Sequence, residues 1–230
     1  VRALDFYSTL GDSSMHAYST WNIDASQILS RRELDTVLRD LKRRATRLPN
    51  VQMNLAILRL ACCCGLRASE IGGLRLGDVR VDVGRPHLLI RAEHAKLMRP
   101  RRIPLWWDAG TLADLTAWRN YRHAQGAKRG DPFICSLRHA TMGDHLNRHV
   151  LRRRFHTACR VLGWDRLRTL TIHHGRHTFI SHALAGGRSL AEVKAAAGHA
   201  SLLTTSVYLH VVVDEPEELG SLFAPTYTVD

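Results

Sequence analysis

A mainly helical α+β fold with one small three-stranded antiparallel sheet is predicted, on three observations. Apolar residues recur at helical spacing through most of the chain beyond residue 30, and the period switches to two only between residues 78 and 105. The 230 residues, 45% of them hydrophobic, are enough to bury a core. Residues 1–26 mix Tyr7, Tyr18 and Trp21 with Gly and Ser without a sustained period, and read as a linker or the tail of an upstream domain. Ser30 with Glu33 makes a capping box, and Leu34, Val37, Leu38 and Leu41 follow on one helical face. Pro49 opens the next helix, whose stripe of Leu55, Leu58 and Cys62 ends near Gly65, and a short helix starts near Ala68.

Alternation then marks three short strands at residues 78–83, 86–91 and 101–105, with a hairpin tip near Leu97 to Pro100. Helical spacing resumes with Leu112, Leu115 and Trp118, stops near Gly126, and returns from about Asp144 to Gly163. A helix from about His173 to Leu184 is closed by Gly186 and Gly187, Ser189 caps another that Gly198 ends, and Ser201 opens a last one through Tyr208. An acidic stretch, Asp214 to Glu218, leads to Leu219, Leu222 and Phe223. Trp106, Trp107 and Trp118 read as packing residues.

The charge balance narrows the function. Thirty-three Lys and Arg against 21 Asp and Glu give a net charge of +12, and the only lysines are Lys42, Lys96, Lys128 and Lys194. Arginine's planar fork grips phosphate through paired hydrogen bonds, so a nucleic-acid partner is the leading reading. The basic residues are spread over many segments, which argues against an amphipathic membrane anchor, and no apolar run reaches a bilayer-spanning length. Five cysteines, three of them consecutive at Cys62 to Cys64 and none in C-x-x-C spacing, read as small buried residues. The expectation is a soluble, intracellular chain, and Val1 in place of an initiator Met suggests a fragment or processed form.

Four clusters carry possible chemistry: Gly65-Leu-Arg67-Ala-Ser-Glu70; Lys96 with Arg101 to Leu105; His173-His-Gly-Arg176-His-Thr178; and Gly198-His199 with Tyr208 nine residues on. Each alone is weak, since a Gly-Leu-Arg is usually a helix start and a hairpin lysine usually a solvated charge. In this order and spacing they resemble the catalytic domain of the tyrosine recombinases, the phage-integrase family. The resemblance covers roughly residues 30 to 212 and implies that family's catalytic fold over residues 27–212, with 1–26 the tail of a missing N-terminal DNA-binding domain. It implies a catalytic set of Arg67, Lys96, His173, Arg176, His199 and Tyr208.

The implied activity is site-specific recombination: Tyr208 attacks a DNA phosphodiester, leaves a 3′-phosphotyrosine link and releases a 5′-hydroxyl that a second strand end can use. One ester replaces another, so no ATP is expected; with the charge on the phosphoryl oxygens met by side chains no metal is expected either, and no cofactor is predicted. A phenol with a reference pKa of about 10 needs a base, which the resemblance makes His173, and the leaving alkoxide needs an acid, which it makes Lys96. Arg67, Arg176 and His199 would neutralise the phosphoryl oxygens. His174 and His177 are read as supporting or capping groups. Arg101 and the run Arg152-Arg153-Arg154 are expected to contact DNA. Nine residues at about 100° each leave His199 and Tyr208 half a turn out of phase, so a bend at Gly198 is required between them.

The sequence departs from the family at Gly175 and Ala197, where an apolar residue, commonly Leu, is usual, and in the Leu97-Met98 that follows Lys96. Both small residues suggest thinner packing behind the site. The partners implied are double-stranded DNA and, on it, a homo-tetramer whose tails over 213–230 dock on neighbouring protomers; without DNA a monomer or weak oligomer is expected. Packing of that tail on its own domain is the competing reading. The location implied is the cytoplasm, on the nucleoid. Rival functions are a metal-dependent hydrolase built on His173 and His177, a DNA-binding module without activity, and a type IB topoisomerase-like enzyme.

Overall fold

A computed structural model describes residues 23–94, 99–209 and 223. The chain opens with a 3-10 turn at Ala25–Gln27, followed by α1 (Arg31–Ala45), α2 (Pro49–Leu58) and α3 (Ala68–Gly73). Three strands form the sheet: β1 (Val79–Arg80), β2 (His87–Ile90) and β3 (Arg101–Pro104). They lie in the order β1-β2-β3, antiparallel throughout, with Val79 opposite Leu88 and Leu88 opposite Ile103. Then come α4 (Ala109–Ala124), α5 (Arg148–Cys159), α6 (Trp164–Thr169), α7 (Ile172–Ala185), α8 (Leu190–Ala197) and α9 (Leu203–Ser206).

Caps set the boundaries. The Ser30 and Glu33 box starts α1, with Ser30 Oγ accepting from Glu33 N at 3.2 Å, and the equivalent Ser189 and Glu192 box starts α8. Packed chain begins a little earlier than the sequence indicates. Ile23, Ile28 and Leu29 are buried, and Leu29 is stitched to α7 by its N–H donating to Thr178 Oγ1 at 2.9 Å and its carbonyl accepting from His182 Nε2 at 2.9 Å. The strands are shorter than alternation suggests. α5 starts only at Arg148, capped by Asn147, because residues 133–147 fold as a loop pinned by a bridge between Cys135 and His145. The six-residue α6 has no apolar stripe of its own and escapes the periodicity.

The core lies where α7 packs on the wide turn that continues α2. Residues Arg59–Cys63 form a π-helical turn, and such turns recur at functional sites because the shifted hydrogen bonding re-aims the next residues of the chain. All five cysteines are free and buried. A Cβ at Gly175 would lie 2.8 Å from Ala61 Cβ and 3.1 Å from Cys62 Sγ, so α7 touches the turn through its backbone there. The expected thinning of the packing at Gly175 is therefore a close approach. Inside the same layer Arg59 donates to Asp108 Oδ2 at 2.9 Å and Asp114 Oδ2 at 2.8 Å, tying the turn to α4.

Gly65 leaves the turn in the left-handed region, φ 66°, with Phe179 filling the space a side chain would need: an added Cβ would collide with Phe179 Cδ1. Gly65→Ala combines positive-φ strain with overpacking and is expected to cost about 2–4 kcal/mol. A denaturant midpoint equal to the parent's would refute this.

Candidate active site

The turn at Gly65 delivers Arg67 to the start of α3. Arg67 is the N-cap residue, partly exposed, with its backbone N–H donating to Glu70 Oε2 at 2.9 Å and its Nη1 donating to Oε1 at 2.9 Å. Glu70, 1% exposed, also accepts a two-pronged contact from Arg101, Nη1 to Oε1 at 2.8 Å and Nη2 to Oε2 at 2.9 Å. Burial alone would push the Glu70 carboxyl up; the hydrogen bonds and charge of Arg101, then Arg67, outweigh it and hold the carboxyl below its ordinary value. Glu70 thus fixes the Arg67 fork in place. Its role follows from the three-residue offset to Arg67, a spacing visible in the sequence but not read for its function.

Arg101 corrects an expectation. Placed among the DNA-contacting arginines by sequence, it is folded inward: its side chain is 9% exposed, and besides Glu70 it donates from Nε to Ala196 O at 2.9 Å. Strand β3 runs beside α8, so this guanidinium braces the two, and three of its five N–H donors are taken inside the protein. Gly198 is the residue that allows it. It ends α8 with φ 69°, and a Cβ there would meet Arg101 Cδ at 2.8 Å.

Arg176 emerges from the first turns of α7 into the gap between the π turn and α8. Its Nη1 donates to Gly65 O at 2.7 Å and its Nη2 to Ala197 O at 2.6 Å. It is 2% exposed. Burial, then the neighbouring charge of Arg67, pushes it down to about 9, which leaves it protonated at neutral pH. His173, one turn earlier, is exposed, and partial desolvation followed by the charges of Arg176 and Arg67 lowers its pKa, keeping the ring neutral and able to accept a proton. His174 caps α7, its Nδ1 accepting from Thr171 N at 3.4 Å.

Beyond Gly198 the chain bends as required. His199 shares a hydrogen bond with Thr205 Oγ1 at 3.0 Å, and α9 carries Tyr208 back over α7. The His199 and Tyr208 rings stack with centroids 6.5 Å apart and 22° between planes. Tyr208 is 2% exposed, and burial pushes its phenol up to about 12 against the opposing pull of Arg176 and Arg67. Its hydroxyl is hydrogen-bonded to His177 Nδ1 at 2.7 Å. His177, read from sequence only as a supporting group, is thus the residue in direct contact with the phenol.

Five of the six predicted catalytic residues therefore converge, Arg67 from the start of α3, His173 and Arg176 from α7, and His199 and Tyr208 from either side of α9; Lys96 lies outside the described residues. Of the basic run on α5, Arg152 and Arg153 are exposed, whereas Arg154 is half-buried and donates to Asn54 Oδ1 at 3.2 Å and Asn50 Oδ1 at 3.0 Å. Successive helical positions differ by about 100°, so three in a row cannot share one face. Arg153 and Arg154, with Arg138, His145 and Asn147, line a cleft of about 370 Å³, and His145 is bonded to Gly72 O at 3.1 Å, at the far end of the helix that Arg67 begins. Among the described residues no group of three His, Cys, Asp or Glu could hold a metal ion, and no helix is long and apolar enough to cross a membrane. Phe223 is fully buried against Phe179, ring centroids 5.7 Å apart, and its carbonyl accepts from Arg188 Nε at 2.9 Å. Both contacts are within the chain; Leu219 and Leu222 lie outside the described residues.

Comparison with known proteins points the same way. The profile of the Phage integrase family matches residues 27–215. The chain is 35% identical over 156 residues to the tyrosine recombinase XerC of Corynebacterium efficiens, covering 68% of this chain and 46% of the relative. It is 29% identical over 170 residues to the tyrosine recombinase XerD of Proteus mirabilis, covering 74% and 51%. The chain spans about half the length of the curated relatives it matches. Among solved structures, the XerA recombinase superposes with a TM-score of 0.65 at 19% identity, over 87% of this chain and 64% of that one. The XerH site-specific recombinase in its post-cleavage complex with a palindromic difH substrate gives 0.63 at 21% identity, over 80% and 49%.

Proposed function

Because the chain belongs to the phage integrase family, we propose that it is the catalytic part of a site-specific DNA recombinase, working in the cytoplasm on nucleoid DNA through a 3′-phosphotyrosine intermediate. The observation that carries this reading is the gathering of Tyr208 with two guanidiniums and two imidazoles from α3, α7 and the α8 to α9 bend. Tyr208 Oη attacks the phosphorus, and the bond to the 5′-oxygen breaks. The phenol's proton passes to a neutral imidazole, for which His173 is lowered appropriately, and the 5′-oxygen takes a proton from a general acid, the role assigned to Lys96. Arg67 and Arg176 hold fixed positive charge against the two non-bridging oxygens, and His199 adds a hydrogen bond. Those charges supply the stabilisation that a metal would otherwise bring, and the ester exchange conserves bond energy, so neither metal nor ATP enters any step.

The test is a nicked suicide duplex carrying the chain's recombination site, in which the short released fragment bearing the free 5′-hydroxyl diffuses away. The expected result is a protein–DNA adduct that survives denaturing gels, formed equally in excess chelator and without ATP. Adduct that vanishes with chelator would favour the metal-dependent hydrolase. Relaxation of supercoiled plasmid lacking any site would favour the topoisomerase reading.

The exposed Arg153 and the cleft beside it are the proposed path of the DNA backbone beyond the scissile phosphate. Arg153→Ala is expected to weaken binding about equally for all sequences and to reduce the slope of log K against log salt by about 1, read by fluorescence anisotropy. An unchanged slope counts against the contact. On DNA the active form is proposed to be a homo-tetramer in which Phe223 and its tail leave their own domain for a neighbour's. Deleting residues 214–230 is expected to abolish coupled strand exchange and the tetrameric species in analytical ultracentrifugation on DNA; exchange that persists would rule this out.

A further inference from the structure

We infer that His177 is a positioning residue that latches the nucleophile, its imidazole holding the Tyr208 phenol in a buried resting place that the tyrosine leaves in order to react. The inference deepens the proposed function and rests on it for the meaning of "react". Its basis is the 2.7 Å hydrogen bond between Tyr208 Oη and His177 Nδ1, made where both residues are almost inaccessible, 2% and 5% exposed. A phosphodiester inside a duplex cannot be brought to a hydroxyl so enclosed.

The two halves of the contact differ in how firmly they are held. His177 sits on α7, the helix packed on the π turn, with the His173 ring edge-on at 4.7 Å and the His174 ring at 6.0 Å. Tyr208 hangs from the four-residue α9, whose N-cap Leu202 and first residue Leu203 are 49% and 77% exposed. Movement thus falls to α9, hinged at the bend after Gly198, while α7 stays in place.

Electrostatics agree with a resting state. Burial, followed by His173, His174, Arg176 and His199 around it, pushes the His177 imidazole down to about 3, and burial holds the phenol up near 12. Both partners are neutral, so the bond joins an unionised phenol to an uncharged ring, the opposite of an activated phenolate. Losing one such buried neutral bond changes an opening equilibrium by roughly 3- to 10-fold.

The test needs no DNA. Tetranitromethane nitrates accessible tyrosines, and mass spectrometry of the digested 230-residue chain gives a rate for each. Tyr208 in the folded parent is expected to react far more slowly than in the chain unfolded by guanidinium. His177→Phe, which fills the space without accepting a hydrogen bond, is expected to raise the Tyr208 rate by roughly 3- to 10-fold. His177→Gln, which can still bond the phenol, is expected to recover most of the protection. Circular dichroism establishes that each variant is folded; if His177→Phe is not, His177→Ala replaces it. A parent Tyr208 that nitrates at the unfolded rate, or a folded variant without the bond that stays as protected as the parent, overturns the latch. With the suicide duplex, His177→Phe is expected to form adduct faster at unchanged DNA affinity, which a merely structural role would not produce; slower adduct would mark His177 as the proton acceptor and overturn the latch. No adduct from the parent would defeat the recombinase reading while leaving the nitration result standing.

Discussion

Replacing Tyr208 with phenylalanine is expected to lower covalent adduct formation on the suicide duplex by on the order of 10⁴-fold or more, to below detection, while DNA binding persists. The ring stays, so its burial and its stacking beside His199 are kept; what is lost is the one oxygen that forms the new ester. The fold should tolerate the change. His177 Nδ1 loses its 2.7 Å partner, at a cost of about 1 kcal/mol, small beside the rest of the core. Single-turnover gels with binding measured in parallel check this, and adduct at even a tenth of the parent's rate would mean that another group is the nucleophile.

The second large effect is expected at Arg176. In Arg176→Lys one ammonium replaces a fork that reaches Gly65 O and Ala197 O at once, so a buried carbonyl is left without a donor. The stability loss is expected to be about 1–3 kcal/mol, seen as a lower denaturant midpoint. Catalysis suffers more, by about 10² to 10³-fold, because a charge fixed beforehand against the phosphoryl oxygens is replaced by a mobile one. The two losses are separable: a variant refolded at full occupancy that cleaves at the parental rate would show that Arg176 is a strut and nothing more.

The fold was legible where local chemistry decides it. Ser30 with Glu33 is a capping box in sequence and in space, Ser189 caps α8 as its position indicates, and Gly198 ends α8 for the reason its φ of 69° demands. Legibility failed where long-range contacts decide. Helical spacing is read from about Asp144, but Ser136 N pairs with Asp144 O and keeps that stretch in the loop, so α5 begins only at Arg148. The π turn at Arg59–Cys63 changes hydrogen-bond offset without changing side-chain pattern. Gly175 looked like missing bulk and is a contact, because the residues it meets lie more than a hundred positions upstream.

The site divides in the same way. Residue types in order carried the resemblance and named Arg67, His173, Arg176, His199 and Tyr208. What each touches was not readable. Arg101 was assigned to DNA by its charge, yet β3 folds it onto Glu70 and Ala196, where an internal carboxylate claims it. His177 follows Arg176 directly and looked secondary, yet α9 brings back a tyrosine 31 residues later onto its ring.

Each step of the chemistry depends on a single covalent event, and that event leaves a mass. Trapped adduct, digested with nuclease and protease, is expected to give one modified peptide carrying a nucleoside 3′-phosphate, with fragment ions placing the added mass on Tyr208. The same mass on a serine, a histidine or a different tyrosine, or cleaved DNA with no protein attached, would contradict the account.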